Sequence, residues 1–229
     1  MSAPRTARWG RVALGVMAFV AASTVAAEIP DALVVLEARP PARPGLVLDG
    51  LPPRFVLMED GRVFVGGIGG VAAGQLDKSD MKALDKRLSQ LKRMPGLGPT
   101  ARFGSGEERY RLTMPKAKID VTAVGAPASA PVEARVLSAL IADLAAFDHP
   151  SLRPLRPAQF VASARAESLA GGCRPWALSI SLSELTNAPR VVAAGSVSSW
   201  PTGAIAASVC QGEKRYAVTF RPLLPVERP

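Results

Sequence analysis

Residues 55–67, FVLMEDGRVFVGG, place two short apolar runs on either side of Asp60-Gly61. An Asp-Gly pair in that setting is the strongest short-range hairpin signal, because a tight two-residue turn needs positive φ at both central positions. The pair therefore predicts a hairpin with both turn residues at positive φ, and this hairpin is the expected first nucleus of a sheet. Alternation puts Phe55, Leu57, Val63 and Val65 on one face and Val56, Met58 and Phe64 on the other. Both faces are apolar, so the sheet is expected to be covered on both sides, with helices as the covers.

Working outward, Gly66, Gly67, Gly69, Gly70 and Gly74 follow the second run. No Gly-Lys-Ser/Thr ending and no GxGxxG accompanies them, so a phosphate-binding loop is not indicated and a bulged or flexible strand exit is expected. Residues 77–94 form the first expected helix, with Asp77 or Ser79 as N-cap. Its stripe is Met81, Leu84, Leu88, Leu91 and Met94, and Pro95-Gly96 stops it. Ser79 and Lys82 match the Ser-x-x-Lys of serine acyl-enzymes, but neither Ser-Asp-Asn nor Lys-Thr-Gly occurs, and helix capping is the preferred reading. Residues 110–114 and 119–124 alternate as a second antiparallel pair around Pro115. Pro131 is expected to open a second helix whose apolar stripe is Val132, Val136, Leu137, Leu140, Ile141, Leu144 and Phe147, stopped by Pro150.

Upstream of the hairpin, residues 33–38 read as a strand. The segment 39–45, RPPARPG, reads as an extended connector, which makes 28–54 a proline-rich lead-in. Downstream, residues 160–166, 176–182, 191–197, 204–209 and 216–220 each read as a strand, and 183–189 as a short helical turn. Trp176, Leu178, Ile180 and Leu182 make one clean face, and Tyr216, Val218 and Phe220 another. The fold class is therefore α+β: an antiparallel sheet with two helices over 55–150, then a mainly β part over 151–229 packed with it as one unit. With 21 prolines and 20 glycines in 229 residues, strands and turns are favoured over long helices.

The first 27 residues carry the compartment signal. Arg5, Arg8 and Arg11 precede an apolar run at 12–22, and Val25 and Ala27 stand at the −3 and −1 positions of a small-residue cleavage site. That is the pattern of a signal peptide cleaved near Ala27, with a periplasmic or extracellular mature chain. No cysteine follows the run, so no lipid anchor is expected, and no later run is long enough to form a transmembrane helix. Cleavage removes three arginines and no acid, lowering the formal charge from +9 to +6. The remaining basic residues, among them Arg153, Arg165, Arg174 and Arg221, are dispersed and not interleaved with aromatics, so nucleic acid is not an expected partner. Cys173 and Cys210 are the only cysteines, and in an oxidising compartment an even pair forms a disulfide.

Residues 55–65, the capped helix at 77–94, Arg174-Pro175-Trp176-Ala177-Leu178 and the closing YAVTFRPLLP at 216–225 together resemble a group of uncharacterised exported proteins and lipoproteins of high-GC bacteria. The resemblance implies export and no established activity, cofactor or catalytic residue. His149, the only histidine, falls near the end of the second helix, where a local structural role is expected. The sequence holds no G-x-S-x-G elbow, no metal-ligand spacing and no cofactor loop. The leading expectation is a non-catalytic exported protein that binds an envelope polymer, a peptide or a protein. A hydrolase acting on such a polymer or peptide is the alternative, marked by a polar cleft that gathers His149 or two acids. A structural envelope component is the third, marked by a large exposed apolar patch.

Overall fold

The computed structural model describes residues 31–41, 48–94, 97–167 and 172–227. The expected signal segment, most of the proline-rich connector and the Pro95-Gly96 stop lie outside these residues. In chain order the elements are β1 (Ala32–Arg39), β2 (Phe55–Met58), β3 (Arg62–Gly67), β4 (Gly70–Gln75), α1 (Lys78–Lys92), β5 (Thr100–Arg102), β6 (Arg109–Met114), β7 (Ile119–Val124), α2 (Arg135–Ala145) and β8 (Arg153–Pro154). The C-terminal part adds β9 (Gln159–Ala166), β10 (Arg174–Pro175), α3 (Leu182–Asn187), β11 (Arg190–Ala193), β12 (Gly203–Gln211) and β13 (Lys214–Pro222). The fold is α+β, with strand order β5-β7-β6-β1-β2-β3-β4-β8 in one sheet and β10-β12-β13-β9-β11 in the other. Each sheet is antiparallel except for one edge pair, β5 with β7 and β10 with β12.

The hairpin forms with Phe55 opposite Val65 and Leu57 opposite Val63. Its turn differs from the expected one. Gly61 alone has positive φ, at 84°, and its N–H donates to the Met58 carbonyl at 3.1 Å. Glu59, Asp60 and Gly61 thus make a three-residue loop, in which a single left-handed glycine suffices. Asp60 instead braces the turn, accepting from the Arg62 N–H at 3.1 Å and from its guanidinium at 2.7 Å. The glycine run that follows is not a loose strand exit. Gly67 pairs with Gly70, and the run folds back as a second hairpin that adds β4 to the sheet.

Both faces of the hairpin are buried, as its apolar alternation requires, but the two covers differ. Phe55, Leu57 and Val63 pack with Leu84, Leu88 and Leu91 of α1 and Leu137, Leu140, Ile141 and Leu144 of α2. Both helices therefore lie on one face. The other face, Val56, Met58, Phe64 and Val71, is closed by Leu224 just past β13, with Leu155 and Val226 at its edge. A second contact between the sheets is the 3-10 turn Leu48–Gly50. A Cβ on Gly50 would fall on the Thr219 side chain of β13, so only glycine allows the approach.

Further differences follow from local chemistry. β1, expected as a strand within a lead-in, sits between β2 and β6 in the middle of the first sheet, so the folded part begins before residue 55. Pro131 starts a 3-10 turn, Val132–Ala134, before α2 begins. Val132 and Val136 are then rotated out to 69% and 44% exposure, and Ala134 takes the inward position. Residues 176–182 keep their alternating burial but are not a strand. The Trp176 indole N–H donates to the Ile180 carbonyl at 2.6 Å, and Ser181 and Glu184 form a capping box that starts α3 at Leu182. The expected strand at 191–197 shortens to β11 followed by a 3-10 turn, Ala194–Val197. Trp176, Trp200 and Phe220 cluster in the second core, with the Arg174 guanidinium 4.5 Å from the Trp200 ring centre. The Cys173–Cys210 disulfide joins positions separated by 37 in sequence beside this cluster.

Candidate functional site

The N-terminus of α1 is built by Asp77. Its carboxylate accepts the N–H groups of Ser79 at 2.7 Å and Asp80 at 2.9 Å, and the Ser79 hydroxyl donates to the same oxygen at 2.7 Å. The Asp80 N–H, followed by the Ser79 hydroxyl, holds the Asp77 carboxyl below its ordinary value. The Ser79 hydroxyl is thus engaged in capping, and the structure does not assemble it with Lys82 as a nucleophile.

The first turn of α1 meets the loop after α2, and this brings together residues far apart in sequence. α2 ends at Ala145, so His149 lies beyond the helix and not at its C-terminal carbonyls. The terminal carbonyl is taken instead by Arg54, whose Nε–H donates to the Ala145 oxygen at 2.6 Å. His149 Nδ1 accepts the Ser151 N–H at 3.2 Å and lies 2.8 Å from the Ser151 hydroxyl, while Nε2 is 3.1 Å from Asp80 Oδ2. Because Nδ1 accepts a backbone N–H, the neutral ring carries its hydrogen on Nε2, facing Asp80. The chain Ser151, His149, Asp80 is therefore ordered as a relay from hydroxyl to carboxylate.

Its surroundings are those of a strut. Ser151 Oγ accepts the Gln75 N–H of β4 at 3.1 Å, and a Cβ on Gly74 would lie 2.5 Å from it. The hydroxyl is pressed onto the strand backbone. The adjoining cavity, between α1 and α2, holds about 190 Å³ and is lined by His149, Asp80, Arg87, Asp143 and Phe147 but not by Ser151. That volume is below the roughly 300 Å³ at which small-molecule sites begin.

A larger, apolar cleft lies on the other side of α1. It holds about 330 Å³ between α1, the ends of β1, β2 and β6, and the 3-10 turn Pro115–Ala117. Leu57, Leu88 and Met114, each 1–3% exposed, make its floor, with Leu33, Met81 and Ala117 as walls. Lys82, Asp85 and Lys92 from α1 and Lys116 from the facing turn ring the mouth. Lys92 Nζ is 3.6 Å from Asp85, and Lys116 pairs with Glu59. Among the described residues Lys82 makes no ion pair. Two further hollows are less suited. A groove of about 460 Å³ over Gly66–Gly67 and Pro154 is more open and walled largely by glycine and proline. A hollow of about 340 Å³ beside the Arg221–Glu227 pair is walled by Arg39 and Leu48, next to residues outside the described set.

Among the described residues no group of three or more His, Cys, Asp or Glu side chains could hold a metal ion. No helix among them is long and apolar enough to cross a membrane. The Cys173–Cys210 disulfide suits a non-cytoplasmic compartment. No protein-family model, curated protein or solved structure matches the chain.

The sequence pointed to Cys173, Cys210 and His149. It did not point to Ser151 or Asp80, which join His149 only through the packing of α1 on the loop after α2. Nor did it point to the cleft. The one signal for it was that Lys82, Asp85 and Lys92 border an apolar stripe containing Met81 and Leu88, a pattern any surface helix shows.

Proposed function

We propose that this is an exported, non-catalytic binding protein, periplasmic or extracellular after cleavage near Ala27, whose ligand occupies the cleft between α1 and the first sheet. The cleft carries the reading: an apolar floor that is buried in the protein yet reached through a mouth ringed by charged side chains is what a small-molecule site requires. Export is supported by the basic, apolar and small-residue segments of residues 1–27 and by the disulfide. The test is a polarity-sensitive dye titrated into the purified protein. Saturable binding that is lost in Ala117→Phe, which fills the cleft, supports the site; equal binding by both proteins rejects it. N-terminal sequencing of exported material should begin near Glu28, and a start at residue 1 or 2 would reject cleavage.

The Ser151, His149, Asp80 relay favours a second reading, a hydrolase of an envelope polymer or peptide. It has the order of groups used in nucleophilic catalysis, although Ser151 is held on β4 and does not line the cavity beside His149. A fluorophosphonate probe that labels the protein at Ser151, and fails on Ser151→Ala and His149→Gln, would establish it. Absence of labelling leaves the binding reading.

A further inference from the structure

Resting on the binding reading above, we infer that the ligand of the α1 cleft is a free, single-chain anionic amphiphile: an unbranched alkyl chain of medium length ending in a carboxylate. Shape argues for a chain. The α1 wall runs from Met81 to Lys92, about three helical turns, along a floor of Leu57, Leu88 and Met114, so the cleft is longer than a compact ligand needs. A methylene takes about the room of one liquid water, roughly 30 Å³, so 330 Å³ accepts on the order of ten of them.

Charge argues for the anionic end. Three lysines stand at the mouth, two on α1 and one on the facing turn, so a carboxylate there is bracketed from both walls. Asp85 and Glu59 answer Lys92 and Lys116, which leaves Lys82 as the cation not already committed to a carboxylate among the described residues. The floor offers no polar partner for a headgroup: Leu57, Leu88 and Met114 present only carbon and a thioether sulfur. A headgroup at the rim with the chain inward is the one orientation that leaves no charge buried.

The experiment is calorimetric titration of the purified, disulfide-bonded protein with hexanoate, octanoate, decanoate and dodecanoate, each below its micellar concentration. Decanol and decyltrimethylammonium serve as headgroup controls. Each added methylene should tighten binding about fourfold until the cleft is filled near decanoate, after which the gain stops. Decanoate should bind about two- to fivefold tighter than decanol, and in Lys82→Glu that ratio of the two affinities should fall to about one or below. Ala117→Phe should abolish binding of every chain; Lys82 is exposed, so Lys82→Glu keeps the test decisive if Ala117→Phe fails to fold.

Each other outcome overturns a stated part. Decanol binding as tightly as decanoate, still blocked by Ala117→Phe, keeps the cleft and rejects the anionic headgroup. No saturable binding of any chain rejects the cleft as a ligand site altogether. Binding only to vesicles of phosphatidylglycerol, with none of the monomers bound, rejects a free amphiphile in favour of a membrane surface.

Discussion

Replacing Gly61 by alanine tests how the hairpin turn supports the rest of the molecule. Gly61 has φ of +84°, a conformation that costs an L-residue about 1–2 kcal/mol. A Cβ there would also fall 2.9 Å from the Leu76 carbonyl oxygen and 2.8 Å from the Gln75 side-chain nitrogen. The Leu76 N–H itself donates to the Gly61 carbonyl at 2.9 Å, so the turn cannot move away without loosening the approach to α1. Forcing in one carbon adds about 1–3 kcal/mol, and the stiffer unfolded chain returns about 0.4–1 kcal/mol. The expected net loss is about 1–5 kcal/mol, centred near 3, or about 1.5 M in the urea midpoint for a slope near 2 kcal/mol/M. Gly69→Ala is the matched control. Its Cβ would meet nothing within 4 Å, so its midpoint should stay or rise slightly. Equal midpoints for the two variants would refute both the turn geometry and the close approach of Leu76.

Two other outcomes follow from single interactions. Cys173→Ser with Cys210→Ser opens a loop with a sequence separation of 37 and should cost about 4 kcal/mol on a chain-entropy basis, read from urea unfolding; two free thiols in the wild-type protein by mass spectrometry would refute the bridge. Asp77→Ala removes the α1 cap. Since the Asp77 carboxyl is held below its ordinary value, its contribution is present above the ordinary carboxylate range and is lost as the pH falls through the lowered value. The variant should be less stable than wild type at about pH 7, and the gap should narrow as the pH is lowered below the ordinary carboxylate range; a gap unchanged by pH would refute the role of the ionised cap.

Legibility followed the range of the interaction involved. The hairpin at Asp60-Gly61, the helix capped by Asp77, the pair β6 and β7, and strands β9, β12 and β13 were readable because alternation, stripe spacing and turn residues act within a few positions. Where a side chain could make a competing local bond, pattern misled. Trp176 turned an alternating run into a loop, and a 3-10 turn at Val132–Ala134 rotated two valines of an apparent stripe into solvent. β5 and the fully buried Phe103 left no trace, since a strand of three residues has no period to detect.

The α+β class, the two apolar faces of the hairpin and the pairing of Cys173 with Cys210 were already decided along the chain. Periodicity of two or near four determines which side chains must leave water, whatever comes to cover them. What covers them was decided only in three dimensions. Both helices went to one face, Leu224 closed the other from 160 positions beyond Phe64, and the packing of α1 left a cleft on one flank and joined Asp80 to His149 on the other. Contacts of that kind depend on the volume and angle at which elements meet, and no local pattern encodes them.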